Sequence, residues 1–239
     1  MKDNQWMYLF FWIIIVVLLF PSEMILWIWI AISVALFFLN MLDFDSWKKI
    51  SNTDIEEDYF IFNKLNQAIV WFTNKDLKDI NIPKYIWWML VTSIWYNAFS
   101  NNSLTSITIP DSVTSIWDYA FKYNQLRRVT IPDSVKSIWK WAFQCNNLES
   151  ITIPDSVTSI WDYAFAANNL ESITIPDSVI SIWNSAFQNN QLTSITIPDS
   201  VRSIWIQAFS CNQLTDVIVP DSVISIWDFA FKNYEEEHY

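Results

Sequence analysis

The chain has 239 residues and a formal net charge of −11, from 14 basic and 25 acidic side chains. That balance excludes nucleic acid as a partner, because phosphate binding needs a basic surface. A hydrophobic content of 52% excludes a disordered chain, and a composition of one His, two Cys and no Gly excludes His-based or Cys-rich metal sites, a P-loop and a dinucleotide fingerprint.

Residues 6–42 carry a single charge, Glu23. Two apolar runs, Trp6 to Phe20 and Met24 to Leu42, are separated by Pro21 and Ser22, which break a helix. A membrane helix needs about 20 apolar residues, with a range of roughly 17–25. The pattern predicts a transmembrane α-helical hairpin over 1–42, with membrane contact through 6–42. A signal peptide followed by one anchor is the weaker alternative: Asp3 offsets Lys2, and no small-residue cleavage site follows the first run. Lys2, Lys48 and Lys49 flank the hairpin and its turn has no basic residue, which by the positive-inside rule puts both termini in the cytoplasm. A single anchor would put the rest of the chain outside. Residues 43–58 then read as a solvated acidic linker, and 59–103 as an N-terminal cap with a variant first repeat.

From Leu104 one unit recurs every 22 residues, marked by Pro110, Pro132, Pro154, Pro176, Pro198 and Pro220. Six such units fill 104–234 and an acidic tail fills 235–239. A fixed period of this length signals a solenoid, in which each unit buries its apolar face only against its neighbours. Ile107, Thr108 and Ile109, with their copies, alternate as a strand does when one face points inward. Stacked units make these a parallel sheet, closed by Pro, which has no N–H to donate. Asp-Ser fits the following turn, the Asp side chain being able to bond backbone N–H groups. Val113 to Ile116 and its copies predict a second short extended piece, and Ala120-Phe121 with its copies a helical turn carrying a small and a large core residue. Asn102, Asn124, Asn146, Asn168, Asn190 and Asn212 are placed to satisfy turn amides of their own and the next unit.

The unit Leu-x-Ser-Ile-Thr-Ile-Pro-Asp-Ser-Val-x-Ser-Ile-x-x-x-Ala-Phe resembles the BspA-like leucine-rich repeats, and the resemblance covers residues 59 to 233. It implies a mainly β solenoid of leucine-rich-repeat type, with parallel strands and short helical turns, behind the transmembrane hairpin. It implies a non-catalytic module for protein–protein interaction or adhesion, often at the bacterial surface, with no cofactor. The lysine count points the other way, so the side of the membrane stays open.

One column departs from the family: Trp95, Trp117, Trp139, Trp161, Trp183, Trp205 and Trp227 stand where the family has Gly. Gly at about 7% of residues is ordinary usage, so roughly 17 glycines are missing here, against 16 Trp present. A chain reversal at this column favours Gly, which reaches φ > 0 without steric cost. Trp87-Trp88 lies where a tight hairpin favours Gly-Gly. A translation that writes Trp for a UGA codon the source reads as Gly would produce the swap. The alternatives are a real indole ladder, able to bind a glycan or a membrane face, and a designed or recoded sequence.

The array shows no nucleophile–base pair and no metal cluster, so no enzyme is expected. Cys145 and Cys211 share a column three units apart, roughly 14 Å at strand spacing, too far for a disulfide. The Asp column (Asp111, Asp133, Asp155, Asp177, Asp199, Asp221) reads as turn formation before cation binding. The flat Ser/Thr face is the candidate partner-contact surface, through Ser150, Thr152, Ser172, Thr174, Ser194 and Thr196. Arg127, Arg128 and Asp216 break its regularity and are the better contacts, because binding faces vary while cores do not. The partner is a protein ligand or the chain itself: near-identical units and no closing strand after Ala230-Phe231 also suit a self-associating spacer.

Overall fold

The computed structural model describes residues 59–233. The described residues fall within one compact unit of the chain, Thr53–Tyr239. The expected hairpin over 1–42, the linker 43–58 and the tail 235–239 lie outside the described residues. Among the described residues no helix is long and apolar enough to cross a membrane.

The described chain opens with an antiparallel hairpin, β1 (Phe60–Asn63) and β2 (Ala68–Phe72), paired Phe60↔Phe72 and Ile61↔Trp71. Next come β3 (Asp79–Asn81), β4 (Tyr85–Ile86), β5 (Met89–Leu90) and β6 (Ser93–Ile94). β4 and β5 form a second hairpin across Trp87-Trp88, with Trp87 at φ 58°. The repeats then supply β7 (Ser106–Thr108), β8 (Ser115–Ile116), β9 (Arg128–Thr130), β10 (Ser137–Ile138), β11 (Ser150–Thr152) and β12 (Ser159–Ile160). They continue with β13 (Ser181–Ile182), β14 (Ser194–Thr196), β15 (Ser203–Ile204), β16 (Asp216–Ile218) and β17 (Ser225–Ile226).

Two kinds of strand alternate, and they make two walls of a parallel β-solenoid. The Ser-Ile strands form one continuous wall, β2-β6-β8-β10-β12-β13-β15-β17, with β1 closing it at the cap. Its register is Ser on Ser and Ile on Ile, so Ile94, Ile116, Ile138, Ile160, Ile182 and Ile204 all point inward and are fully buried. The Ser-Ile-Thr strands form the second wall, which is broken: β3-β7-β9-β11 is one piece and β14-β16 another. Residues 172–174 belong to no ladder, although Leu148–Val157 and Leu170–Val179 read the same, LESITIPDSV.

The corner between the walls is held differently from the expected Asp turn. Val113 N–H donates to the Pro110 carbonyl at 3.1 Å. The Ser112 hydroxyl donates to the Val91 carbonyl of the preceding unit at 2.6 Å, and Ser134, Ser156, Ser178 and Ser200 repeat this at 2.5–2.8 Å. Among the described residues no side chain of the Asp column accepts a backbone N–H. The hydroxyl takes that role because it faces the stack, while the carboxylates stay exposed.

The third side carries no helix, contrary to the helical turns expected at Ala-Phe. Asn97 and Asn101 have φ of 59° and 55°, and two left-handed residues recur in this way around each following Ala-Phe through Cys211. A left-handed residue every four positions stops a helix before one turn completes. The segment closes i→i+3 turns instead, such as Ala98 N–H to the Trp95 carbonyl at 3.1 Å. Its remaining amides bond along the stack, for example Phe121 N–H to the Ala142 carbonyl at 2.8 Å.

Inside the three sides, Phe99, Phe121, Phe143, Phe165, Phe187, Phe209 and Phe231 stack with ring centroids 5.1–5.6 Å apart. Those spacings match strand separation, so the ladders set the ring pitch. The Asn column is buried as expected, but it reaches back rather than forward. The Asn124 Oδ1 accepts from Leu104 N–H at the start of its own unit at 3.0 Å, and its Nδ2 donates to the Phe99 carbonyl of the preceding unit at 2.8 Å and to the Phe121 carbonyl at 2.9 Å. Asn102 starts the column and its Oδ1 has no donor, because the variant unit before it offers none. In the sixth repeat Ile218, Ile224 and Ile226 are 54%, 79% and 52% exposed.

Candidate partner-binding face

The second wall presents the Ser/Thr face. Arg128, Ser150, Ser194 and Asp216 start their strands and Thr152 and Thr196 end theirs, all exposed; Val129, Ile151 and Ile195 between them are buried, whereas Val217 of β16 is 37% exposed. β-Pleating puts residues two apart on one face, which is why these side chains line up. The register sets Ser150 beside Arg128 and Ser194 beside Asp216. Ser172 and Thr174 are exposed like their counterparts but stand in the break. There Ile173 is only half-buried, while Ile151 and Ile195 are 9% and 3% exposed. Beside the break is an open groove of about 350 Å³, lined by Glu171, Ser172, Gln191, Thr193 and Gln213. Glu149 and Glu171, exposed one position before Ser150 and Ser172, went unnoticed in the sequence because they sit in the variable position of the repeat.

The Trp column lies at the junction of the first wall and the turns. The Trp117 N–H donates to the Ile94 carbonyl at 2.9 Å, and Trp95, Trp139, Trp183, Trp205 and Trp227 make the same bond to the unit before, extending the ladder. None of the seven is left-handed; positive φ falls two residues later, at Asn97, Tyr119, Trp141, Tyr163, Ser185, Gln207 and Phe229. The reversal follows the column instead of occurring at it, because the Trp backbone is still engaged with the preceding unit. From Trp117 to Trp227 the indoles stack with centroids 4.8–5.2 Å apart and planes within 13° of parallel. Their faces cover one another, which leaves ring edges outward and few faces for a sugar to stack on.

Non-Gly residues in the left-handed region cost roughly 1–2 kcal/mol each. Ala167, at φ 55°, is the plainest case, having no side chain beyond Cβ to complicate the comparison. Ala167→Gly is expected to raise stability by about 1 kcal/mol, measured as an upward shift in the urea midpoint.

A polar track that the sequence did not suggest runs beside the Trp column. Lys140 Nζ pairs with Asp162 Oδ2 at 3.0 Å, and Asp162 Oδ1 accepts from the Asn184 N–H and side-chain amide, both at 3.1 Å. The hydrogen bond and charge of Asp162 hold the Lys140 ammonium above its ordinary pKa of 10.5. A raised lysine pKa contributes stability that is fully present below the ordinary value and lost above the raised one. The stability difference between wild type and Lys140→Met should therefore shrink as pH is taken upward past 10.5; urea midpoints across pH 8–12 check it. Cys145 and Cys211 are free thiols, both half-buried, as their spacing predicted. Burial pushes the Cys145 thiol up, which makes it a poor nucleophile at neutral pH.

A family model described as the BspA type leucine rich repeat region matches residues 66–191 and 144–238. Comparison with curated proteins finds no match. A leucine-rich repeat protein of T. pallidum is 25% identical with a TM-score of 0.67, over 73% of this chain and 86% of that one. A leucine-rich repeat protein from Bacteroides ovatus is 26% identical with a TM-score of 0.57, over 74% of this chain and 56% of that one. The chain thus spans little more than half the length of the second protein.

Proposed function

Because the chain belongs to the BspA-type leucine-rich repeat family, we propose that its array is a non-catalytic module for protein–protein interaction or adhesion, held at a membrane by residues 6–42. The observation that carries this reading is the exposed Ser/Thr face, built on strands whose alternate residues are buried. Such a face offers adaptable polar groups on a rigid support, which suits recognition more than chemistry. A photo-crosslinker at Thr152 should capture a partner that the same group at Lys136, outside this wall, does not. Equal capture at both positions would refute the assignment to this face.

Membrane anchoring rests on the apolar runs of 6–42 and on nothing in the array. Extraction with alkaline carbonate tests it: release of the full chain into the soluble fraction rules out the anchor. Protease added to intact cells then reports the side, since cleavage of the repeats places them outside.

A self-associating spacer is the second reading. It is favoured by the exposed Ile218, Ile224 and Ile226 of the sixth repeat, because exposed apolar patches mark contact sites. Concentration-dependent mass in detergent would support it; a strict monomer would sink it.

The Trp column belongs to this proposal too. We read most of the 16 Trp, in a chain with no Gly, as positions where the source inserts Gly at UGA. Trp87 and Trp141, both at φ 58°, add support, since that backbone suits Gly. The intact mass of the natively expressed protein decides it: a deficit of roughly 2 kDa is expected from a swap of this size. A mass matching Trp throughout would restore the indole ladder as a functional candidate.

A further inference from the structure

On the Ser/Thr face of the repeats, charge gathers on three adjacent rungs, with Asp216 standing apart. In the position before the strand, the second, third and fourth repeats carry Arg127, Glu149 and Glu171, where the others carry Thr105, Thr193 and Thr215. Arg128 adds a second cation at the start of β9. Two of the three arginines of a chain with net charge −11 therefore sit on one rung. The backbone joins the rungs directly, Glu149 N–H donating to the Arg127 carbonyl at 3.0 Å. Yet among the described residues neither arginine nor either glutamate makes an ion pair, although opposite charges lie one rung apart.

The ladder break falls on the same strip, at its Glu171 end. A strand normally satisfies its N–H and C=O groups through the ladder; residues 172–174 have none. The adjoining groove is open and polar throughout its lining, unlike the enclosed, mostly apolar pockets that hold small molecules.

From these opposite charges on adjacent rungs, with an open groove beginning at their Glu171 end, we infer that the strip from Arg127 to Glu171 binds an extended peptide segment carrying a carboxylate about three residues from a basic side chain. The inference rests on the reading of the array as a protein-binding module. The spacing follows from geometry. Two rungs at about 4.8 Å separate the arginine pair from Glu171, and about three residues of extended chain at roughly 3.3 Å each span that distance. The carboxylate takes the Arg127–Arg128 end, where guanidinium groups offer paired donors. The basic side chain takes Glu171, and the chain beyond it continues into the groove.

The test is selection of a displayed library of random dodecapeptides on the full chain in detergent micelles. Retained peptides are then measured on Arg127→Glu/Arg128→Glu and on Glu149→Lys/Glu171→Lys. These positions are exposed, and circular dichroism verifies that each variant is folded. The expected result is enrichment of acid and base about three residues apart, with Kd weakened at least tenfold on either variant. Peptides with acid and base exchanged should bind the fourfold charge-swapped variant. Retained peptides that bind wild type and variants equally would overturn the strip while leaving the protein-binding reading intact. A library that yields no binder to any face would overturn both.

Discussion

Phe165→Ala is expected to destabilise the array by about 3–5 kcal/mol, the usual cost of emptying a buried phenylalanine site. Phe165 is fully buried and stacks on Phe143 at 5.6 Å and on Phe187 at 5.5 Å. Both contacts disappear together, and parallel ring pairs add about 0.5–1.5 kcal/mol each beyond area burial. Collapse is limited because the continuous first wall and the stacking bonds of the turn side hold the units at a fixed pitch, even though the second wall is broken nearby at residues 172–174. Phe231 has one ring neighbour, Phe209, and is half-buried, so Phe231→Ala should cost markedly less. The effect also has a shape. Each turn contacts only its neighbours, so a weakened middle turn uncouples the two ends. Urea unfolding followed by tyrosine fluorescence should broaden or split for Phe165→Ala and merely shift for Phe231→Ala. A larger loss at Phe231 would mean that stability is not carried through the stack as described.

Asn168→Leu should cost on the order of 4 kcal/mol, since each buried polar group left without a partner costs about 1–3 kcal/mol. Leucine keeps the volume and removes the bonds. The Asn168 Oδ1 accepts from Leu148 N–H at 3.1 Å, and Nδ2 donates to the Phe143 and Phe165 carbonyls at 3.0 and 3.1 Å. All are enclosed, so water cannot replace the amide. Asn102 is the internal control. Its Oδ1 has no donor and its Nδ2 reaches the Ser100 carbonyl, so Asn102→Leu should cost less than half as much. Amide exchange gives a second readout: Leu148 N–H should lose protection in Asn168→Leu while distant rungs keep theirs. Equal losses at both sites would show that the column acts through packing and not through its hydrogen bonds.

The period itself was legible, because Pro recurs in register and proline closes strands wherever it stands. Both extended pieces and the buried Asn column were legible for the same reason: β-branched alternation and an isolated polar residue in an apolar unit have few structural solutions. The corner was misread. Asp and Ser are adjacent and either can cap a turn; which one faces the stack depends on side-chain direction, which spacing does not fix. The helical turn at Ala-Phe was misread because left-handed residues at positions such as Tyr119, Cys145 and Ala167 have no common residue type. The left-handed backbone was sought at the Trp column for a related reason: a family Gly marks a site where a side chain is unwelcome, and φ is only one cause. The break at residues 172–174 had no local signal at all. Its sequence equals that of the intact β11 unit, so the difference comes from the stack around it. On the candidate face, Arg128 and Asp216 stood out because they interrupt a pattern, whereas Glu149 and Glu171 were hidden by repeating it.

The Asn column has a further consequence for how such a chain can change length. Its bonds join residues separated by 20 and 25 positions in repeat after repeat, from Asn124 through Asn212. Removing or adding any whole 22-residue unit inside the array restores every one of those offsets, with the same partner types at each end. A cut at any other length leaves an amide facing the wrong carbonyl. Gene duplication and recombination can therefore slide along this array in whole units without unfolding it, and copy number becomes a heritable setting for how much binding face the protein displays.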